Sequence, residues 1–372
     1  MHLSRSLIAA LLITSAVAVT ATATTIPAKP LIQVAVLLDT SNSMDGLIDQ
    51  ARTQLWRVVN ELATAKRNGI TPDLRVALYE YGNDKLAAPH IRRVLALTSD
   101  LDKVSEELFA LKTDGGNEFC GQVIDVATKE LQWSASNSDL KLIFIAGNEP
   151  FTQGSVDFHQ SCKRAIEKGI VVNTIFCGAK DEGIRTSWKE GADLADGSFL
   201  AIDQNVKAVY IPAPQDQEIA KLGLELNKTY LGYGSGAAVG AGRQSAQDAN
   251  VASAPAANVQ RQVAKASAAY SNSSWDVVDA VKSGELDLEK VDSKKLPAEM
   301  QKMTPAQRKA YVAEAQKKRT ELQAKIKKLD EERRKYVDEQ MKNKPPAENT
   351  LDAAVVRAVR VNGTKKGYKF EK

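Results

Sequence analysis

Asp39, Ser41 and Ser43 stand at alternate positions in the stretch Val34-Ala-Val-Leu-Leu-Asp39-Thr-Ser41-Asn-Ser43-Met-Asp45-Gly46. An acid and two short hydroxyls on one tight loop present oxygen donors from one side, the donor type that a hard divalent cation prefers. Mg²⁺ takes such donors octahedrally and keeps several waters. The open side of the loop is then left for water or for a carboxylate from elsewhere. Helix capping accounts for one Ser or Asp at a strand-to-helix turn, but not for a whole Asp-x-Ser-x-Ser set after an apolar run. An EF-hand loop is excluded, because Met44 stands where its glycine is required and Gln50 where its bidentate Glu is required.

Little else in the chain offers catalytic chemistry. Beyond His2 there are two histidines, His90 and His159, both read as surface residues. There is no His-Glu-x-x-His, no phosphate loop and no Gly-x-Ser-x-Gly elbow. The Gly232-Tyr-Gly234-Ser-Gly236 spacing superficially resembles a dinucleotide loop, but it follows a helix and not a buried strand, which rules that reading out. Cys120, Cys162 and Cys177 allow one disulfide with one thiol left over, or three buried free thiols.

The loop is positioned by alternating strands and helices from Leu31 to Pro212. Leu31–Leu38 is a near-continuous apolar run, as expected of a strand buried on both faces. Gly46–Ala65 has helical spacing. Leu74–Tyr81 and Ile91–Leu97 read as strands, the second at an edge because Arg92 and Arg93 interrupt it. A helix from Asp100 to Leu111 is capped by Ser99 or Asp100. A glycine turn at Gly115-Gly116 leads into a helix ending near Gln132. Leu140–Ala146 and the segment from Gly169 to Phe176 are buried strands, separated by a helix over Val156–Lys168. Thr186–Ala195 and Phe199–Ile202 close the series. This pattern predicts an α/β fold: a doubly wound, mostly parallel sheet flanked by helices, followed by a mainly helical C-terminal region. Such sheets bind ligands beyond the carboxyl ends of their strands, where Asp39 and the three cysteines should lie.

The remaining chain divides by composition. Residues 213–231 read as a helical extension, and residues 232–269, rich in Gly, Ala, Ser, Gln and Asn, as a linker or loosely ordered segment. Residues 270–372 form a basic helical region, with a capping box at Thr304-Pro305-Ala306-Gln307 opening a long charged helix to about Lys342. Its narrow apolar seam through Leu322, Ile326 and Leu329 suits a helical hairpin or weak coiled coil. From Ala298 to Lys372 there are 20 Lys and Arg against 11 Asp and Glu, so the body of this 372-residue, +4 chain is acidic and its tail basic. That small net charge implies no nucleic-acid partner. Residues 1–23 read as a signal peptide, with Arg5, the apolar Leu7–Val19 stretch and a small-residue site at Ala21-Thr22-Ala23. No later stretch is apolar enough for a transmembrane segment. The mature protein is therefore expected to be periplasmic or secreted.

An Asp39-x-Ser41-x-Ser43 loop after a buried strand, at the head of an alternating α/β region, resembles the metal-ion-dependent adhesion site of von Willebrand factor A domains over residues 31–212. The resemblance implies direct metal ligation by both serines, with the acid often acting through water, and a binding module and not an enzyme. Two motifs depart from the family pattern. Glu118, in Thr113-Asp-Gly115-Gly116-Asn117-Glu118, stands where the family has a Thr ligand. Gly147, in Ala146-Gly147-Asn148-Glu149, stands where it has an Asp. The expected metal set is therefore Asp39, Ser41 and Ser43 with Glu118 added, holding Mg²⁺ or Mn²⁺. The expected function is a protein-binding or scaffold module with a protein partner. A metal-assisted hydrolase, or a structural envelope protein with a metal-free domain, are the alternatives.

Overall fold

The computed structural model describes residues 29–206, 210–342 and 350–370, so the signal-peptide reading of residues 1–23 lies outside the described residues. The chain opens with β1 (Leu31–Asp39), a single 3₁₀ turn at Asn42–Met44 and α1 (Asp45–Ala63). The short β2 (Lys66–Arg67), β3 (Asp73–Tyr81) and β4 (Ile91–Thr98) follow, then α2 (Leu101–Ala110) and α3 (Cys120–Glu130). Next come β5 (Leu140–Gly147), α4 (Phe158–Glu167), β6 (Ile170–Cys177), α5 (Lys180–Arg185), α6 (Trp188–Asp193) and β7 (Phe199–Ile202).

The main sheet has the order β4-β3-β1-β5-β6-β7, parallel throughout except for the antiparallel edge strand β4. β5 and β6 are buried throughout, and β1 nearly so, because helices cover both faces. Ile32, Val34 and Leu38 of β1 pack toward α1 and α2, whereas Ala35 and Leu37 pack toward α3, α4 and Trp188. In the sheet register Asp39 pairs with Tyr81, and Leu38 pairs with both Glu80 and Ala146. The ends of β1, β3 and β5 therefore meet at one place, with Asp39, Tyr81 and Gly147 side by side.

The C-terminal region differs from the composition-based expectation. Residues 232–269 are not a linker: they hold α8 (Ala237–Ala252) and α9 (Pro255–Lys265), after α7 (Asp216–Asn227). Small residues that suggest a flexible segment here permit close packing. A Cβ on Gly240 would lie 2.4 Å from the Trp275 ring, and one on Gly223 would lie 2.1 Å from the Gln262 side-chain oxygen. The polar residues are buried and paired. Arg261 reaches Asp102 of α2 at 2.7 Å and Asp248 at 2.5 Å, and its guanidinium lies 4.6 Å from the centre of the Trp56 ring. Lys265 reaches Asp248 at 3.0 Å.

After α10 (Val277–Ser283) and α11 (Ala298–Gln301), the Thr304 capping box forms and α12 runs over Pro305–Met341. Its seam packs within the chain: Leu322 and Ile326 meet Ile219, Leu222, Leu226 and Val259, while Val312 meets Val277 and Val278. Arg319 of α12 is buried against Asp276 at 2.7 Å and Asp279 at 2.9 Å, over the Tyr230 ring. Finally α13 (Leu351–Lys365) lies on α1, and β8 (Tyr368–Lys369) pairs with β2. Leu351, Val355 and Val359 join one cluster with Trp56, Leu142 and Ile175. The C-terminal region thus completes the core on one face of the sheet, and the boundary at residue 212 does not separate two cores. Among the described residues no helix is long and apolar enough to cross a membrane.

Candidate metal centre at the end of the first strand

Asp39 is fully buried at the point where β1 gives way to the loop. Its Oδ1 accepts the Ser41 backbone N–H at 2.8 Å, which bends the chain into a tight turn. The turn is anchored from outside as well: Thr40 N–H donates to the Tyr81 carbonyl at 2.9 Å, and Asp114 N–H donates to the Thr40 carbonyl at 3.0 Å. The second oxygen, Asp39 Oδ2, is buried and has no hydrogen-bond partner. A buried carboxylate oxygen left unpaired is costly unless a proton or a cation compensates it.

The neighbouring donors gather around this acid. The Ser41 and Ser43 hydroxyl oxygens are 3.3 Å apart, and Asn148 Nδ2 donates to Ser43 Oγ at 3.2 Å. Glu118 is 4% exposed, and its Cγ comes to the same side of Gly82 as Asp39 Oδ1. Its backbone N–H is fixed by the Gln153 side-chain oxygen. All four residues singled out in the sequence therefore converge. Among the described residues no three His, Cys, Asp or Glu side chains form a metal-binding group, so the donor set rests on two carboxylates and on hydroxyls.

Gly82, which sequence reasoning missed, makes this convergence possible. It follows β3 with φ of +77°, and a Cβ there would lie 2.8 Å from Glu118 Cγ and 2.9 Å from Asp39 Oδ1. Only a residue without a side chain allows both acids to close in on the same spot. The one signal in the sequence was a glycine directly after a buried strand next to β1. Gly147 is similarly constrained, since a Cβ on it would lie 2.5 Å from the Tyr81 hydroxyl and 3.0 Å from Asp39 Oδ2. That hydroxyl donates to the Ala146 carbonyl at 3.0 Å and fills the space an acidic side chain would need.

The electrostatics follow from this crowding. Burial above all, with help from the nearby Glu118 and Glu149, pushes the Asp39 carboxyl up to about 7, while the Ser41 N–H and hydroxyl hold it down in part. Burial likewise pushes Glu118 up to about 7, with Glu149 the next contributor and Asp84 a smaller one. The effect is that of carboxylates sharing a poorly solvated site without a counter-charge. The three cysteines are buried free thiols. Cys120 Sγ lies 3.8 Å from the Tyr81 hydroxyl, and burial raises all three thiols above their ordinary range.

Residues 33–185 match the family model of the von Willebrand factor type A domain. The chain carries a von Willebrand factor type A domain. Solved structures similar to it include BatB from Bacteroides thetaiotaomicron, at 18% identity and a TM-score of 0.36, covering 46% of this chain and 90% of that one. An aerotolerance-related membrane protein from Bacteroides fragilis NCTC 9343 is similar at 16% identity and a TM-score of 0.32, covering 47% of this chain and 93% of that one. The VWA domain of SpRpn10 is similar at 16% identity and a TM-score of 0.35, covering 46% and 88% respectively. No curated protein matches the chain. The matched residues cover β3 to β6, most of β1 and the Asp39 loop, while β7 and the helices from Asp216 onward lie beyond them.

Proposed function

We propose that this protein is an exported binding or scaffold module, not an enzyme, whose A domain holds Mg²⁺ or Mn²⁺ at Asp39, Ser41 and Ser43 with Glu118 and meets a protein partner there. The observation that carries the reading is the buried, unpartnered Asp39 Oδ2 beside two hydroxyls and a second buried carboxyl. Oxygen donors of this kind suit a hard divalent cation. When bound, the cation would supply the missing positive charge and coordination positions for oxygen ligands. Asp39 and Glu118 would bring negative charge, Ser41 and Ser43 neutral oxygens, and Asn148 would orient the Ser43 hydroxyl. Domains of this type commonly mediate protein interactions. Export to the periplasm or beyond is proposed from the composition of residues 1–23.

Titration calorimetry with Mg²⁺ or Mn²⁺ tests the centre. Heat of binding is expected for the wild type and not for Asp39→Ala. Equal heats in both proteins would put the cation elsewhere, and none in either would favour a metal-free structural A domain.

A further inference from the structure

We infer that Glu118 closes this centre from within the chain: as a second anionic ligand beside Asp39, it neutralises a divalent cation and keeps an external carboxylate from binding it. The inference rests on the metal reading proposed above and adds the chemical class that the loaded site rejects.

The argument begins with placement. Glu118 is as buried as Ser41 at the start of the loop, and its Cγ and Asp39 Oδ1 both pack against the bare Cα of Gly82. The Ser41 N–H donates to that same Asp39 Oδ1 at 2.8 Å. Glu118 therefore stands beside the Asp39 carboxylate that a cation would need, from a loop fixed by Gln153. Charge is then decisive. A cation of charge +2 with two carboxylates is neutral, and Glu149 adds negative charge near both acids while Asp84 adds it near Glu118. Lys85, beside this loop, is paired with Asp114. An incoming carboxylate would meet no net positive charge and two further acids, at short range in a poorly solvated site where Coulomb repulsion is strong. A partner must then engage this edge of the A domain through groups other than a carboxylate.

Mn²⁺ and acetate serve as probes, with water-proton relaxation reporting water bound to the metal. In the wild type, acetate should leave the relaxivity of bound Mn²⁺ unchanged. In Glu118→Gln, which keeps the shape but removes the charge, Mn²⁺ should bind about tenfold more weakly, the effect of losing one favourable charge contact. Acetate should then lower the relaxivity by displacing metal-bound water. Relaxivity that falls with acetate equally in both proteins would overturn the inference while leaving the metal centre intact. Equal Mn²⁺ affinity in the two would also overturn it, because Glu118 would not be a ligand. Absence of Mn²⁺ binding to the wild type would overturn the metal reading itself. The wild-type acetate measurement stands even if the variant does not fold.

Discussion

The Tyr81 hydroxyl occupies the space that a side chain at Gly147 would need, with a Cβ there lying 2.5 Å from the oxygen. Tyr81 is itself held by donating to the Ala146 carbonyl. The end of β5 thus has room for backbone only, while Glu118 approaches Asp39 from the opposite side, over Gly82.

Gly147→Asp should therefore destabilise the protein by about 1–3 kcal/mol, the usual range for overpacking a tight core. Tyr81→Phe alone should cost about 1 kcal/mol through its lost hydrogen bond. Combined, the two changes should be less destabilising than the sum of the singles, because the second makes room for the first. Urea denaturation of the four proteins measures this, and strict additivity would show that the hydroxyl is not the obstacle.

Removal of divalent cations should lower the melting temperature of the wild type and leave Asp39→Asn unchanged. A ligand that binds only the folded state stabilises by about 2.7 kcal/mol at a hundredfold excess over Kd. Without cation, Asp39→Asn should melt no lower than the wild type, since it removes a buried charge with an unpaired oxygen. Thermal melts with Mg²⁺ and with chelator check both halves.

The C-terminal helices should unfold together with the A domain. Leu322→Asp with Ile326→Asp should lower the stability of the whole chain in a single transition, because α12 packs on α7 and α9, and α9 packs on α1. Asp102→Ala should cost about 3–5 kcal/mol by leaving the buried Arg261 short of a partner. Limited proteolysis should spare residues 237–265. An early cut there that released a stable A-domain fragment would contradict the shared core.

His159 should remain protonated to higher pH than an ordinary histidine. Its ring reaches Asp157 at 2.7 Å, the larger cause of its raised pKa, and Glu190 at 3.0 Å. A raised folded-state pKa means that this tether between α4 and α6 is fully present below the ordinary histidine range and is lost as pH rises through the raised value. The groups are exposed, so salt should weaken the effect. Proton NMR titration of the ring signals, with Glu190→Gln bringing the pKa down, measures it.

Local pattern alone determined the sheet, the edge position of β4, the Thr304 capping box and the Asp39-x-Ser41-x-Ser43 loop. In each of these the deciding contacts lie within a few residues or follow from strand and helix periodicity. Composition misread residues 232–269, because Ala, Gly and paired polar residues look like a linker until their partners are known. Arg261 finds Asp102 across 159 positions of sequence, and no local rule connects them. The narrow seam of α12 likewise had its partners in α7 and α9, and not in a second helix of a coiled coil. At the site, tertiary structure decided how two carboxyls could share one buried spot. Parallel pairing brings the ends of β1, β3 and β5 into line, and the bare Cα of Gly82 leaves the gap into which Asp39 and Glu118 both fit.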